Sequence, residues 1–428
     1  MIRNLVRIHR SPVFTVLLSG LIFAGLPSGS SAQDLAASVA KLSTEPAVRQ
    51  ALTLAKANEA QVIADQIEIT QVAAPAFKEA QRAQVLKRKF EAAGLKDVRI
   101  DAAGNVIGVR PGAAAHPHLV LAAHLDTVFP EGTDVSVKRD GAVLKAPGIG
   151  DDGRGLAVML GVLRALQQAN VQTPGTITFV ADVGEEGLGD LRGTRELFAK
   201  TLKGQIDQFI SIDGTGHGIT NVAVGSYRYR VTVKGPGGHS YGAFGLANPI
   251  HALGRAIGKI SDIQVPTSPK TTFNVGRIGG GTSVNSIASE AWLEMDMRSP
   301  DPASLKTVDK AFRDIVAKAV ADENARWGKA AVLTVDVKQV GERPAGSTSK
   351  TARIVQVALT VNKHLGLPLS LGEGSTDSNI PMSLGIPAIT IGGGGSGTGA
   401  HSPAEAFDTT DSWKGTERVL LTVLAVLR

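Results

Sequence analysis

Ala146-Pro147-Gly148-Ile149-Gly150-Asp151-Asp152-Gly153-Arg154-Gly155 sets two adjacent carboxylates in a glycine-rich turn. The apolar run that follows, Leu156 to Leu166, predicts a helix. Glycines let the backbone turn sharply there. Acidic side chains at the mouth of such a turn either cap the helix or face a ligand. The pair alone does not choose between these roles, so the choice rests on what the rest of the chain brings to equivalent positions.

Outward from the turn, one form recurs. Leu119-Val120-Leu121-Ala122-Ala123 reads as an apolar strand ending at His124-Leu125-Asp126, and Thr176 to Val183 as a strand ending at Glu185-Glu186. Gln208 to Ile212 ends at Asp213-Gly214, and Ala388 to Ile391 leads through a glycine-rich loop to His401-Ser402. Continuous apolar strands alternating with helices predict an α/β domain, a mostly parallel sheet covered by helices on both faces. Ligands bind such sheets beyond the carboxyl ends of the strands, and each of these strands delivers His, Asp or Glu to that rim. Gly392 to Gly395 lacks the Lys-Ser/Thr of a phosphate loop; its glycines fit backbone passing close to a substrate.

Upstream, Leu35 to Ala93 has helical spacing broken at Pro75, which predicts two or three helices, and Val98 to Val109 reads as a hairpin. Between Val224 and about Gly341 the pattern changes to strand, helix, strand, strand, helix, strand. That βαββαβ order is a ferredoxin-like α+β unit, inserted because Ile386 to Ile391 returns to buried-strand composition. Its sheet leaves a face or edge open for pairing, so it is read as a dimerisation domain. The expected organisation is a signal peptide at 1–32, a catalytic domain at 33–223 and 342–428, and the insert at 224–341.

Arg3, Arg7 and Arg10 precede an apolar run, Val13 to Leu26, and small residues ending at Ala32. This is the pattern of a cleaved secretory signal. The chain is therefore expected to be exported, periplasmic or secreted, with no stable membrane insertion afterwards. At 428 residues, 43% hydrophobic and 20% charged, it has the composition of a folded protein of two domains. Loss of the three leader arginines takes the net charge from +6 to +3, without a basic tract for nucleic acid. Cysteine is absent, which excludes disulfides and thiolate metal sites and leaves His, Asp and Glu as ligands.

Residues i and i+2 of a strand share a side, and a metal-bound imidazole commonly donates its second N–H to a carboxylate. His124 is thus read as a ligand, with Asp126 orienting its ring. Asp151, Glu186, Asp213 and His401 complete a set of oxygen and nitrogen donors suited to two zinc ions, with cobalt or manganese as substitutes. Glu185, beside Glu186, is placed to take a proton from the attacking water and pass it to the leaving amine.

His124-Leu-Asp126, Gly150-Asp151-Asp152, Glu185-Glu186-Gly187, Asp213-Gly214 and His401-Ser402-Pro-Ala-Glu405 together resemble the ordered motifs of dizinc exopeptidases related to peptidase T, carboxypeptidase G and the aminoacylases. The resemblance covers nearly all of the chain after its leader. It implies that His124, Asp151 and Asp213 hold one zinc, and that Asp151, Glu186 and His401 hold the other. It also implies that Asp151, not Asp152, is the bridge and that Glu185 is the general base. Many relatives carry Lys where this chain has Gly153-Arg154. Gly237-Gly238-His239-Ser240 is similar to a family segment whose histidine reaches the partner subunit's active site, which implies a homodimer and a catalytic role for His239. Asn285 and Arg298 match positions that bind polar groups of the substrate; the fork of an arginine suits a carboxylate.

The expected function is hydrolysis of amide bonds in dipeptides and tripeptides. Removal of the acyl group from an N-acylated amino acid uses the same chemistry, and the motifs do not separate the two. A catalytically silent binding protein would lack a ligand or the base, and this chain has them all.

Overall fold

The computed structural model describes residues 32–328 and 332–428. The expected signal peptide lies outside the described residues, apart from Ala32. Among the described residues no helix is long and apolar enough to cross a membrane. Where two or three helices are expected near the start, four form: Ala32–Thr44, Pro46–Ala57, Glu59–Thr70 and Ala80–Ala92. The extra break has a local cause. Pro46 stands at the first position of its helix, where a missing N–H is harmless, and Asn58 ends that helix and begins the next.

These helices and Gly153–Gln168, Arg353–His364 and Trp413–Val426 pack around a nine-stranded sheet. At its centre Thr176–Asp182, His118–His124, Gln208–Ile212 and Ala388–Ile391 run parallel in that spatial order. The margins are largely antiparallel, with Val106–Arg110 on one side and Ile219–Ala223 on the other. Leu119, Leu121 and Ala123 enter one apolar core and Val120 and Ala122 another, so this strand is buried on both faces. The parallel centre carries the carboxyl ends of four strands to one edge. A smaller sheet, Lys138–Asp140, Val143–Lys145, Ala406–Asp408 and Ser396–Thr398, flanks that edge.

The insert is a four-stranded antiparallel sheet in the order Thr272–Gly280, Glu290–Ser299, Gly225–Lys234, Thr334–Arg343. Its helices, Pro249–Ile260 and Pro302–Trp327, cover one face. Val231, Val233, Leu293 and Met295 point into their shared core with Phe312 and Val316. On the intervening positions Arg230 lies 4.0 Å over Trp292. The last strand reaches Arg343, two residues past the expected end at Gly341, because its pairing with Gly225–Lys234 continues beyond an irregularity at Gln339/Gly341.

Arg154 fastens the helix after the acidic turn. It is fully buried, donates from Nε to the Gly393 carbonyl at 2.8 Å and from Nη2 to that of Ser412, and faces Glu59 at 3.4 Å. Arg154→Met leaves these acceptors unpaired, and breaking such a buried pair costs about 3–5 kcal/mol. Urea denaturation of the purified metal-free protein is expected to show that loss; a change under about 1 kcal/mol would mean the contacts are dispensable.

Candidate active site

His124 closes its strand and is buried. Its Nδ1 lies 3.0 Å from the backbone carbonyl of Asp126, which fixes the tautomer with the proton on Nδ1 and turns Nε2 toward Asp151 Oδ1, also at 3.0 Å. The expected carboxylate partner is therefore corrected: the Asp126 side chain stands 3.8 Å from Nδ1. It accepts instead from the backbone N–H groups of Glu185 and Glu186, at 3.0 and 2.8 Å. Those two donors open the turn after Thr176–Asp182, so the acid steadies the segment that presents both glutamates.

Across the site, His401 Nε2 is 3.0 Å from Asp151 Oδ2 and 3.0 Å from Glu186 Oε1. Asp151 thus offers one oxygen to each histidine. Asp213 Oδ1 lies 4.0 Å from His124 Nε2. His124, Asp151 and Glu186 present donor atoms within 4.8 Å of one another, as do His124, Asp152 and Asp213. Asp152 belongs to the scaffold by its bonds: it accepts backbone N–H groups of His124, Gly155 and Gly214, each at 3.1 Å, as the cap of Gly153–Gln168.

Charge in this cluster is unbalanced. Burial pushes Glu185 up to about 8, with Arg343 opposing, and burial plus repulsion from Asp151 pushes Asp213 up to about 7. Hydrogen bonds to Asp151 and Glu186 raise His401 to about 10. Burial disfavours a charged His124, yet Asp151 and the acids around it raise it well above the ordinary histidine range. Burial would also raise Asp151, but the two imidazoles hold it far below the usual carboxylate range. The crowded carboxylates favour positive charge on the two imidazoles between them. Sulfur-free donors around such a centre fit divalent metal ions.

Glu405, quoted in the sequence motif without a role, is buried and accepts from Gly148, Gly150 and Asp151 N–H at 2.8, 2.8 and 2.9 Å. It shapes the acidic turn from 254 to 257 residues further along the chain. His401 itself holds a left-handed backbone, φ 62, a conformation that costs a non-glycine residue about 1–2 kcal/mol.

A cavity of about 440 Å³ opens over these groups, with Asp151, Glu185, Glu186, Asp213 and His401 on one side. Arg228, Arg298 and Arg343 line it as well. Asp296 joins two of these, accepting from Arg228 Nε at 2.9 Å and Arg298 Nε at 2.8 Å. Arg228 and Arg343 carry no local sequence signal; they reach the cavity only because the insert folds back over it. His239 and Asn285 are not brought to it. They lie together on an exposed face of the insert, where Ser240 N–H bonds the Asn285 carbonyl at 2.9 Å.

The model of peptidase family M20/M25/M40 matches residues 120–425. The protein YqjE of Bacillus subtilis is 27% identical over 352 residues, which is 78% of this chain and 90% of that protein. Carboxypeptidase G2 of a Pseudomonas species is 27% identical over 300 residues, 67% of this chain and 68% of its own. The crystal structure of a tripeptidase from Staphylococcus aureus superposes with a TM-score of 0.72 at 26% identity, covering 87% of this chain and 99% of that one.

Proposed function

The chain belongs to peptidase family M20/M25/M40, metal-dependent hydrolases of peptide and other amide bonds, and from that premise we propose that it is an exopeptidase cleaving dipeptides and tripeptides. The observation that carries the reading is Asp151, whose two oxygens each face a different histidine at 3.0 Å. In this reading His124, Asp151 and Asp213 hold one ion, Asp151, Glu186 and His401 hold the second, and the ions are zinc, with cobalt or manganese able to substitute. When bound, the ions supply Lewis acidity and make a nucleophilic water available near neutral pH.

The protein's own groups do the rest. Glu185 takes the proton of the attacking water on its carboxylate and returns it to the leaving nitrogen. Asp126 keeps Glu185 and Glu186 in register through their backbone N–H groups. Arg298, half-exposed at the cavity wall, receives a substrate carboxylate. His239 and Asn285, exposed and adjacent on the insert, are read as groups that one protomer of a homodimer offers to the cavity of its partner, His239 polarising the scissile carbonyl. The protein is read as exported, to a periplasm or out of the cell.

Deacylation of an N-acylated amino acid is the second reading, because it asks the same of Glu185 and Arg298. Ala-Ala, Ala-Ala-Ala and N-acetyl-alanine, offered side by side to the purified zinc-loaded protein, separate the two. Cleavage of the free peptides is expected, and cleavage of N-acetyl-alanine alone would move the protein to the deacylases. Equal activity of zinc-stripped and zinc-loaded protein would overturn both.

A further inference from the structure

The insert leaves and rejoins the main unit at Val224 and Pro344, and Asn379 Nδ2 donates to the carbonyls of both, at 2.9 and 3.0 Å. Arg343 immediately precedes the second crossing as the last residue of Thr334–Arg343, and it is only 3% exposed. Its guanidinium reaches into the main unit. Nη1 donates to Glu185 Oε1 at 3.0 Å and to Ser375 Oγ at 3.2 Å, and Nη2 donates to the Glu185 carbonyl. One planar fork therefore grips both the carboxylate and the backbone of the same glutamate, which a point charge on a flexible stem cannot do.

Neighbouring contacts repeat the pattern. Glu342 N–H donates to Asp190 Oδ1 at 2.9 Å, and Arg228 donates from Nη1 to the Gly187 carbonyl. The two strands that border the crossings thus hold the segment 185–190 from the insert's side. We propose that Arg343 is the positioning residue for Glu185, and that through it the angle of the insert sets where the Glu185 carboxylate stands above the substrate. This rests on the reading of Glu185 as the proton acceptor. A substrate carboxylate at Arg343 would have to displace a buried glutamate from both Nη atoms, whereas Arg298 is 41% exposed and meets Asp296 through Nε. The anchoring role falls to Arg298 and the positioning role to Arg343.

The test compares Arg343→Ala, Arg343→Lys, Glu185→Gln and the double variant Glu185→Gln/Arg343→Ala on whichever of Ala-Ala-Ala and N-acetyl-alanine the wild type cleaves. A base displaced by about 1 Å loses on the order of 10²-fold in rate, so Arg343→Ala is expected to lower kcat by about that factor with KM within about threefold. Arg343→Lys, which keeps the charge and the fold, recovers about tenfold of the loss and no more, since the fork is gone. The double variant is no slower than Glu185→Gln, because both changes remove one function. In metal-free protein, deuterium exchange at residues 185–191 is faster in Arg343→Ala than in wild type. A KM rise at unchanged kcat, or full kcat in Arg343→Ala beside an inactive Glu185→Gln, would overturn the proposal. An active Glu185→Gln would instead remove the base reading, in a variant that leaves Arg343 untouched.

Discussion

Glu185→Gln is expected to lower kcat by on the order of 10³-fold, the range of a lost general base, while bound metal per chain stays at the wild-type level. The substitution is close to isosteric. The Gln amide oxygen still accepts from Arg343 Nη1, which is 3.0 Å from Glu185 Oε1, and Asp126 still receives the two backbone N–H groups, which do not involve the side chain. Only the proton acceptor disappears. Steady-state kinetics with elemental analysis of the same samples checks this, and retained activity would sink the assigned role. Stability gives an independent reading. Burial first, then repulsion from Glu186 and Asp213, raises Glu185 to about 8. A carboxyl raised in the folded state stabilises below its unfolded pKa, and that contribution is lost as pH rises through the folded value. Metal-free Glu185→Gln, a mimic of the protonated acid, is therefore expected to match the wild type in thermal melts near pH 4 and to outlast it above pH 8.

Asp151→Asn removes more. The side chain offers an oxygen to each histidine, at 3.0 Å on both sides, and an amide has one oxygen and no charge to give. Metal content is expected to fall below two ions per chain and turnover to fall by on the order of 10³-fold or more, as when a member of a cooperating catalytic set is lost. The backbone of the turn should survive, because Glu405 binds the Asp151 N–H and not its side chain. Circular dichroism and metal analysis on the same preparation separate these effects. Two ions retained with wild-type activity would show that Asp151 is not the bridge.

Much of this arrangement is legible in the sequence because it depends on local rules. A five-residue apolar run followed by His124-Leu125-Asp126 places the histidine at a strand end whatever the partners are, and parallel neighbours do the same for Glu185, Glu186 and Asp213. The glycine-rich turn before Leu156 announces the helix that Asp152 caps. Other features depend on contacts that no local pattern records. Lys138–Asp140 and Ser396–Thr398 are short, exposed strands whose sheet joins segments some 260 residues apart. Arg343 and Arg228 read as ordinary strand residues until the insert is placed against the Glu185 turn. For Asp126, spacing correctly brings the residue beside His124 but does not say which acceptor meets the ring. The backbone carbonyl is nearer, so the carboxylate is free for Glu185 and Glu186.

Glu405 also bears on the order in which the protein can be assembled. It braces the acidic turn from 257 positions away along the chain, and His401 meets Asp151 across 250. A nascent chain that has delivered everything up to residue 400 owns one histidine of the pair and an unbraced turn. Contacts of such long sequence separation form late, since the entropy of closing the intervening chain must be met first. The complete set of donors therefore comes into being only with the last few dozen residues, so a metal site that needs both histidines is a late product of folding and not a nucleus for it.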